Sequence, residues 1–137
     1  MKRRKHGQHA FTLLEVLLVL TILVILGSTV GVFLSRTQTQ AQKKVTKIQV
    51  DALAQLIEQY HIDVGTFPTA QQGLESLYTA PADLADPAKW AGPYSKKKLE
   101  PDPWSHPYQY ESTGDSFRVW SWGPDGQDGT DDDISNE

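Results

Sequence analysis

The chain has 137 residues, 39% of them hydrophobic, with 13 basic and 17 acidic side chains and a formal net charge of −4. That length leaves room for a single modest core, the acidic balance argues against a nucleic-acid-binding surface, and the absence of cysteine excludes a disulfide framework. In a domain of this size the missing staple directs attention to a bound metal ion.

Residues 1–10 form a basic leader in which Lys2, Arg3, Arg4 and Lys5 face no acid. The apolar stretch 11–34 follows, and its part 16–34 carries no charged side chain. At about 1.5 Å per residue that part spans roughly 28 Å, enough to cross a bilayer with the leader cations on the cytoplasmic side. A secretory signal would end in a small-residue cleavage site, but Gly27 and Ser28 are embedded in continuing apolar sequence. Glu15 is the exception within the stretch, since a lone carboxylate in hydrocarbon costs a few kcal/mol (about 3) and calls for a partner. Cleavage just before Phe11 would supply one, the new α-amino group of the same chain or of a neighbour, and would take the net charge to −8.

The run His9-Ala10-Phe11-Thr12-Leu13-Leu14-Glu15-Val16 resembles the processing site of type IV pilin-like precursors. In that family a prepilin peptidase cuts before a Phe and methylates it, and the fifth mature residue is a Glu, which Glu15 matches. The family usually has Gly just before the cut; Ala10 stands here.

From 35 to 62 there is no Pro or Gly, and Gln, Ala, Lys, Leu and Glu dominate, so the spacing predicts a helix continuous with the apolar stretch. Val45, Ile48, Ala52, Leu56 and Tyr60, with Leu53 and Ile57 beside them, are expected to form its buried stripe. Gly65 and Pro68 end the helix, and Thr69 is placed to cap a short second one through Leu77 and Tyr78. The proline-punctuated stretch 81–103 reads as an ordered loop pinned by Trp90, Tyr94 and Trp104, with Lys96, Lys97 and Lys98 as a solvated face.

A hairpin follows. Residues 108–111 and 117–122 alternate around a turn at 112–115, with Phe117, Val119 and Ser121 on one face and Arg118, Trp120 and Trp122 on the other. Last comes the acidic stretch 123–134, with five Asp in the nine residues 125–133. Such a cluster repels itself unless a cation offsets it, and hard oxygen donors on a flexible, glycine-containing loop suit Ca²⁺ better than Zn²⁺. The spacing is not that of an EF-hand, and a solvated acidic tail is the plainer reading; Ile134, apolar after the acids, favours a pinned loop.

Beyond the processing motif, Phe67-Pro68-Thr69, Gln72-Gly73-Leu74, Asp102-Pro103-Trp104, Gly123-Pro124-Asp125-Gly126 and Asp132-Asp133-Ile134 are similar to the major pseudopilins of type II secretion systems. The family's usual Gly after Asp-Pro-Trp is Ser105 here. The resemblance implies an α+β, type IV pilin-like fold: a long N-terminal helix, its first half spanning the membrane, packed on a small antiparallel sheet. It implies a cleaved leader at 1–10, a membrane and filament-core helix at 11–34 and a periplasmic head at 35–137. For calcium it implies the side chains of Asp125, Asp132 and Asp133 with backbone carbonyls at Trp122 and Gln127 or Asp128, the choice among Asp128, Asp131, Asp132 and Asp133 staying open.

The expected function is structural. Subunits cut between Ala10 and Phe11 and methylated on Phe11 would leave the inner membrane and polymerise into a periplasmic filament, Glu15 meeting a neighbour's Phe11 amino group. The implied partners are copies of the chain, minor pseudopilins, prepilin peptidase, the inner-membrane assembly platform and the membrane, with no nucleic acid. A pilin of a type IV pilus or DNA-uptake filament is the alternative. An enzyme is not expected, since His61 and His106 are isolated and no nucleophile or phosphate-binding motif is present.

Overall fold

A computed structural model of the chain describes residues 11–137, with the side chains of 29–35 excepted; the leader, and Ala10 with it, lies outside the described residues. The first element, α1, runs Leu13–Val64 over 52 residues, consistent with the absence of Pro from that stretch. Thr12 starts it: its Oγ1 and its carbonyl both accept from the Glu15 N–H, at 3.2 and 3.1 Å, an N-cap that places an acid in the first turn where the helix dipole favours it. Gly65, at φ +92°, stops the helix by donating to the His61 carbonyl at 2.8 Å.

Cα packing divides the chain between Gln38 and Thr39 into two compact units. In the first, the large apolar side chains from Phe11 to Leu26 are all exposed, from 47% at Val16 to 81% at Leu13. Among the described residues no helix is long and apolar enough to cross a membrane. Of the expected span 16–34, side chains 29–34 lie outside the described residues.

The second unit holds the core. β1 (Gln109–Ser112) and β2 (Phe117–Ser121) pair antiparallel as the expected hairpin, in the register Tyr110 to Val119. A further strand, β3 (Ile134–Ser135), pairs antiparallel with the other edge of β2, giving the order β1-β2-β3. The architecture is therefore α+β, a long helix with a small antiparallel sheet. Val119 is fully buried and Phe117 packs on the same core, which also takes Val50, Leu53, Ile57 and Tyr60 from α1 and Leu77 and Tyr108 from beyond it.

The buried stripe of α1 differs from the one expected. Thr46, Val50, Leu53, Ile57 and Tyr60 face inward, whereas Val45 and Ile48 are 48% and 69% exposed and Ala52 is exposed too. Thr46 can be buried because its hydroxyl donates back to the Gln42 carbonyl at 2.9 Å and so keeps a partner away from water.

Thr69 caps as expected, but only a turn. Its Oγ1 accepts from the Gln72 N–H while Gln72 Oε1 accepts from the Thr69 N–H, and Gly73, at φ +54°, then diverts the chain into a 3₁₀ turn, Gly73–Leu77. Two of the three aromatic pins hold through their side chains. Trp90 Nε1 donates to the Ser76 carbonyl at 3.0 Å, and the Trp90 and Tyr94 rings meet edge-on at 5.9 Å. Trp104, half-buried, is tied through its backbone N–H, which donates to Asp102 Oδ1.

Ser105 adopts φ +70°, the conformation that a Gly tolerates and an L side chain does not. Ser105→Gly is expected to stabilise the head by about 0.5–1 kcal/mol, a rise of a few degrees in Tm by calorimetry. An unchanged or lower Tm would show that the turn carries no such strain.

The buried tyrosines predict an alkaline limit. Burial, with the Asp102 charge second, pushes the Tyr108 hydroxyl up to about 12; burial first pushes Tyr110 to about 12 as well. Their folded values lie above the unfolded value near 10, so their contribution is complete below pH 10 and is lost as pH climbs towards 12. The urea midpoint should thus fall steeply between pH 10 and 12, and less steeply in Tyr110→Phe. Parallel falls in both proteins would refute the assignment.

Candidate functional site

Two stretches carry the candidate residues. At the first, Phe11, Glu15, Val16, Val19 and Leu20 line one shallow apolar depression, with Phe11 79% exposed. The N-cap by Thr12, which the sequence reading left out although Thr-x-x-Glu is a capping-box spacing, sets Glu15 at the start of the helix beside Phe11.

The acidic stretch is an ordered loop between β2 and β3. Trp122 precedes a 3₁₀ turn, Gly123–Asp125, and Gly126 closes it at φ +65°. Two glycines permit close approaches: a Cβ on Gly123 would stand 2.1 Å from the Asp132 carbonyl oxygen, and one on Gly126 would stand 2.8 Å from the His106 ring. The beginning and end of the loop therefore touch at Gly123 and Asp132.

Four of the loop's five Asp side chains, those of Asp125, Asp128, Asp132 and Asp133, have a donor. Asp125 Oδ1 accepts from the Gln127 N–H at 3.1 Å; Asp128 Oδ1 accepts from Trp120 Nε1 at 2.9 Å, laying the loop over the outer face of the sheet. Asp132 Oδ1 pairs with Lys43 Nζ of α1 at 2.5 Å, and Asp133 Oδ2 accepts from the Gly129 N–H at 2.9 Å. The Gln127 carbonyl accepts only a long 3.5 Å bond from Thr130 Oγ1.

The donor set fits a hard cation: oxygen atoms alone, and Asp133 Oδ1 buried without a hydrogen-bond partner, an acceptor whose desolvation nothing in the protein offsets. Among the described residues no three His, Asp or Glu side chains stand together as a metal cluster. Asp125, Asp132 and Asp133 share the loop while each is turned to a separate partner.

Asp102, read from the sequence only as part of a turn, organises the loop's base. It is 4% exposed; its Oδ1 accepts from the Trp104 and His106 N–H groups at 3.0 and 2.8 Å, and its Oδ2 accepts from Ser121 Oγ. Ser121 Oγ in turn accepts from the Gly123 N–H at 3.0 Å, so one carboxylate joins the Asp-Pro-Trp turn, the end of β2 and the start of the acidic loop. The legible signal was an Asx turn, in which Asp bonds backbone two residues on.

Comparison with known proteins places this geometry. Residues 34–137 match the model of type II secretion system protein G, and residues 5–31 match the prokaryotic N-terminal methylation motif. The chain is 38% identical to the type II secretion system core protein G of Pseudomonas aeruginosa, over 99% of this chain and 98% of that one. It is 39% identical to the Vibrio cholerae protein of the same name, over 93% and 88%. The crystal structure of the major pseudopilin from the type 2 secretion system of enterohaemorrhagic Escherichia coli superimposes with a TM-score of 0.64 at 30% identity, covering 73% of this chain and 86% of that one. The chain belongs to the type II secretion system protein G family.

Proposed function

We propose that this chain is a structural subunit of a type II secretion pseudopilus, which polymerises in the periplasm and drives folded proteins across the outer membrane. The observation that carries the reading, beside family membership, is the helix whose apolar side chains from Phe11 to Leu26 are all exposed in the single chain. That much apolar surface requires lipid before assembly and neighbouring helices after it. The exposed Val45, Ile48 and Ile62 extend apolar surface along the head half of α1 and suit the same packing.

In this reading prepilin peptidase cuts between Ala10 and Phe11 and methylates the new terminus, while the leader and helix hold the precursor in the inner membrane with its head in the periplasm. Glu15, beside Phe11 at the helix start, then pairs with the amino group of a neighbouring Phe11, because leaving the carboxylate unpaired in an apolar filament core is costly. Minor pseudopilins and the inner-membrane assembly platform complete the set of partners. The role is mechanical rather than catalytic. Deletion of the gene is expected to abolish export of folded proteins to the medium, restored by the wild-type chain and not by Glu15→Ala. Normal export with lost surface pili or DNA uptake would overturn the reading in favour of a pilin.

Ca²⁺ bound by the loop would neutralise its carboxylates and stabilise the folded head by binding the folded state alone. Asp125, Asp132 and Asp133 supply the side chains, with carbonyls of Trp122 and of Gln127 or Asp128. The orphaned Asp133 Oδ1 supports this assignment. Calcium at about a hundredfold its Kd should add about 2.7 kcal/mol, roughly 10–20 °C in Tm over chelator. Asp133→Ala should remove that difference, and identical melting of the wild-type chain in calcium and chelator would dismiss the metal.

A further inference from the structure

We propose that Lys43 is the internal counter-ion of the acidic loop and sets its calcium affinity by competing for Asp132, an inference that rests on the calcium reading above. Lys43 Nζ stands 2.5 Å from Asp132 Oδ1, joining α1 to a residue 89 positions away. Among the described residues it is the only cation within ion-pair distance of any of the loop's five carboxylates. The two side chains are 29% and 38% exposed, so water screens the pair less than it would on an open surface.

The main chain at Asp132 is held as well. Its carbonyl oxygen lies against Gly123, where a Cβ would come within 2.1 Å, which holds this residue against the start of the loop. Asp132 meets the Lys43 ammonium, while Asp125, Asp128 and Asp133 are engaged by neutral N–H donors. One ammonium against five carboxylates leaves a large unbalanced negative charge, and so a strong pull on a divalent cation. Yet a metal drawing on Asp132 must either displace Lys43, which forfeits the ion pair, or share the carboxylate with it, which sets two cations against each other. Lys43 therefore holds the loop on the helix without metal and weakens the loop's hold on calcium.

Lys47, one turn along α1, provides the control. Its Nζ donates to the Ser135 carbonyl at 2.9 Å and pairs with Asp51 at 2.8 Å, so it contacts the strand after the loop without touching a loop carboxylate.

The test is titration calorimetry with calcium chloride on the full mature chain in detergent, for wild type, Lys43→Met and Lys47→Met, with melting of each in chelator. Lys43→Met should bind calcium about tenfold more tightly and melt a few degrees lower in chelator, while Lys47→Met keeps the wild-type affinity. Binding by Lys43→Met alone would equally support the inference. Equal or weaker affinity in Lys43→Met, with wild type binding, overturns the inference and leaves calcium standing; no binding by either protein overturns both.

Discussion

Asp102→Ala should lower the stability of the head by about 3–5 kcal/mol, since it strips the acceptor from Trp104 N, His106 N and Ser121 Oγ at a position 4% exposed. A buried donor left unmade costs about 1–3 kcal/mol, and a rotating Ser121 hydroxyl can recover only part of the sum. For a head of about a hundred residues this is a fall in Tm of roughly 15–30 °C, a large share of its total stability. Asp102→Asn retains Oδ1 as an acceptor and replaces Oδ2 with a donor facing Ser121, so its loss should be smaller. The two melting temperatures decide the matter. A fall of only a few degrees in Asp102→Ala would mean that the turn, the strand and the loop are held in place without this carboxylate.

Gly123→Ala is the second large effect. Ala at φ +70° costs about 1–2 kcal/mol by itself, and its Cβ would meet backbone rather than a movable side chain, the Asp132 carbonyl at 2.1 Å. The loop must shift, adding about 1–3 kcal/mol. The displacement carries Asp132 off Lys43 and pulls at β3, whose Ile134 opposes Ser121. Calorimetry should therefore show a head destabilised by about 3 kcal/mol, with its calcium-dependent rise in Tm diminished. Gly114, also at positive φ (+96°) but with open space around it, isolates the conformational cost: Gly114→Ala should lose only about 1–2 kcal/mol. Equal losses at the two glycines would show that contact with Asp132 is unimportant.

Both predictions concern the base of the loop, where sequence reading saw least. The stop at Gly65, the hairpin and the long α1 are local patterns of one or two turns or strands, and they formed as expected. β3 was missed because two residues, Ile134 and Ser135, carry no periodicity; only the free edge of β2 makes them a strand. The reciprocal bonds of Thr69 and Gln72 were foreseeable from their spacing, while the 3₁₀ turn after them depends on the positive φ of Gly73.

The sequence by itself determined the membrane-length apolar run at 11–34, the acid at Glu15, the helix through the forties and fifties, the strand alternation and the concentration of Asp at 125–133. Each of these follows from composition and period along a short stretch. Tertiary structure alone decided that Thr46 and Val50, not Val45 and Ile48, face the core, because the choice depends on where the sheet lies. It alone brought Lys43 to Asp132 and Asp102 to Ser121, across 89 and 19 residues. No local preference encodes such pairs: their partners meet only once apolar burial has fixed the helix against the sheet, and the buried polar atoms must then find hydrogen bonds.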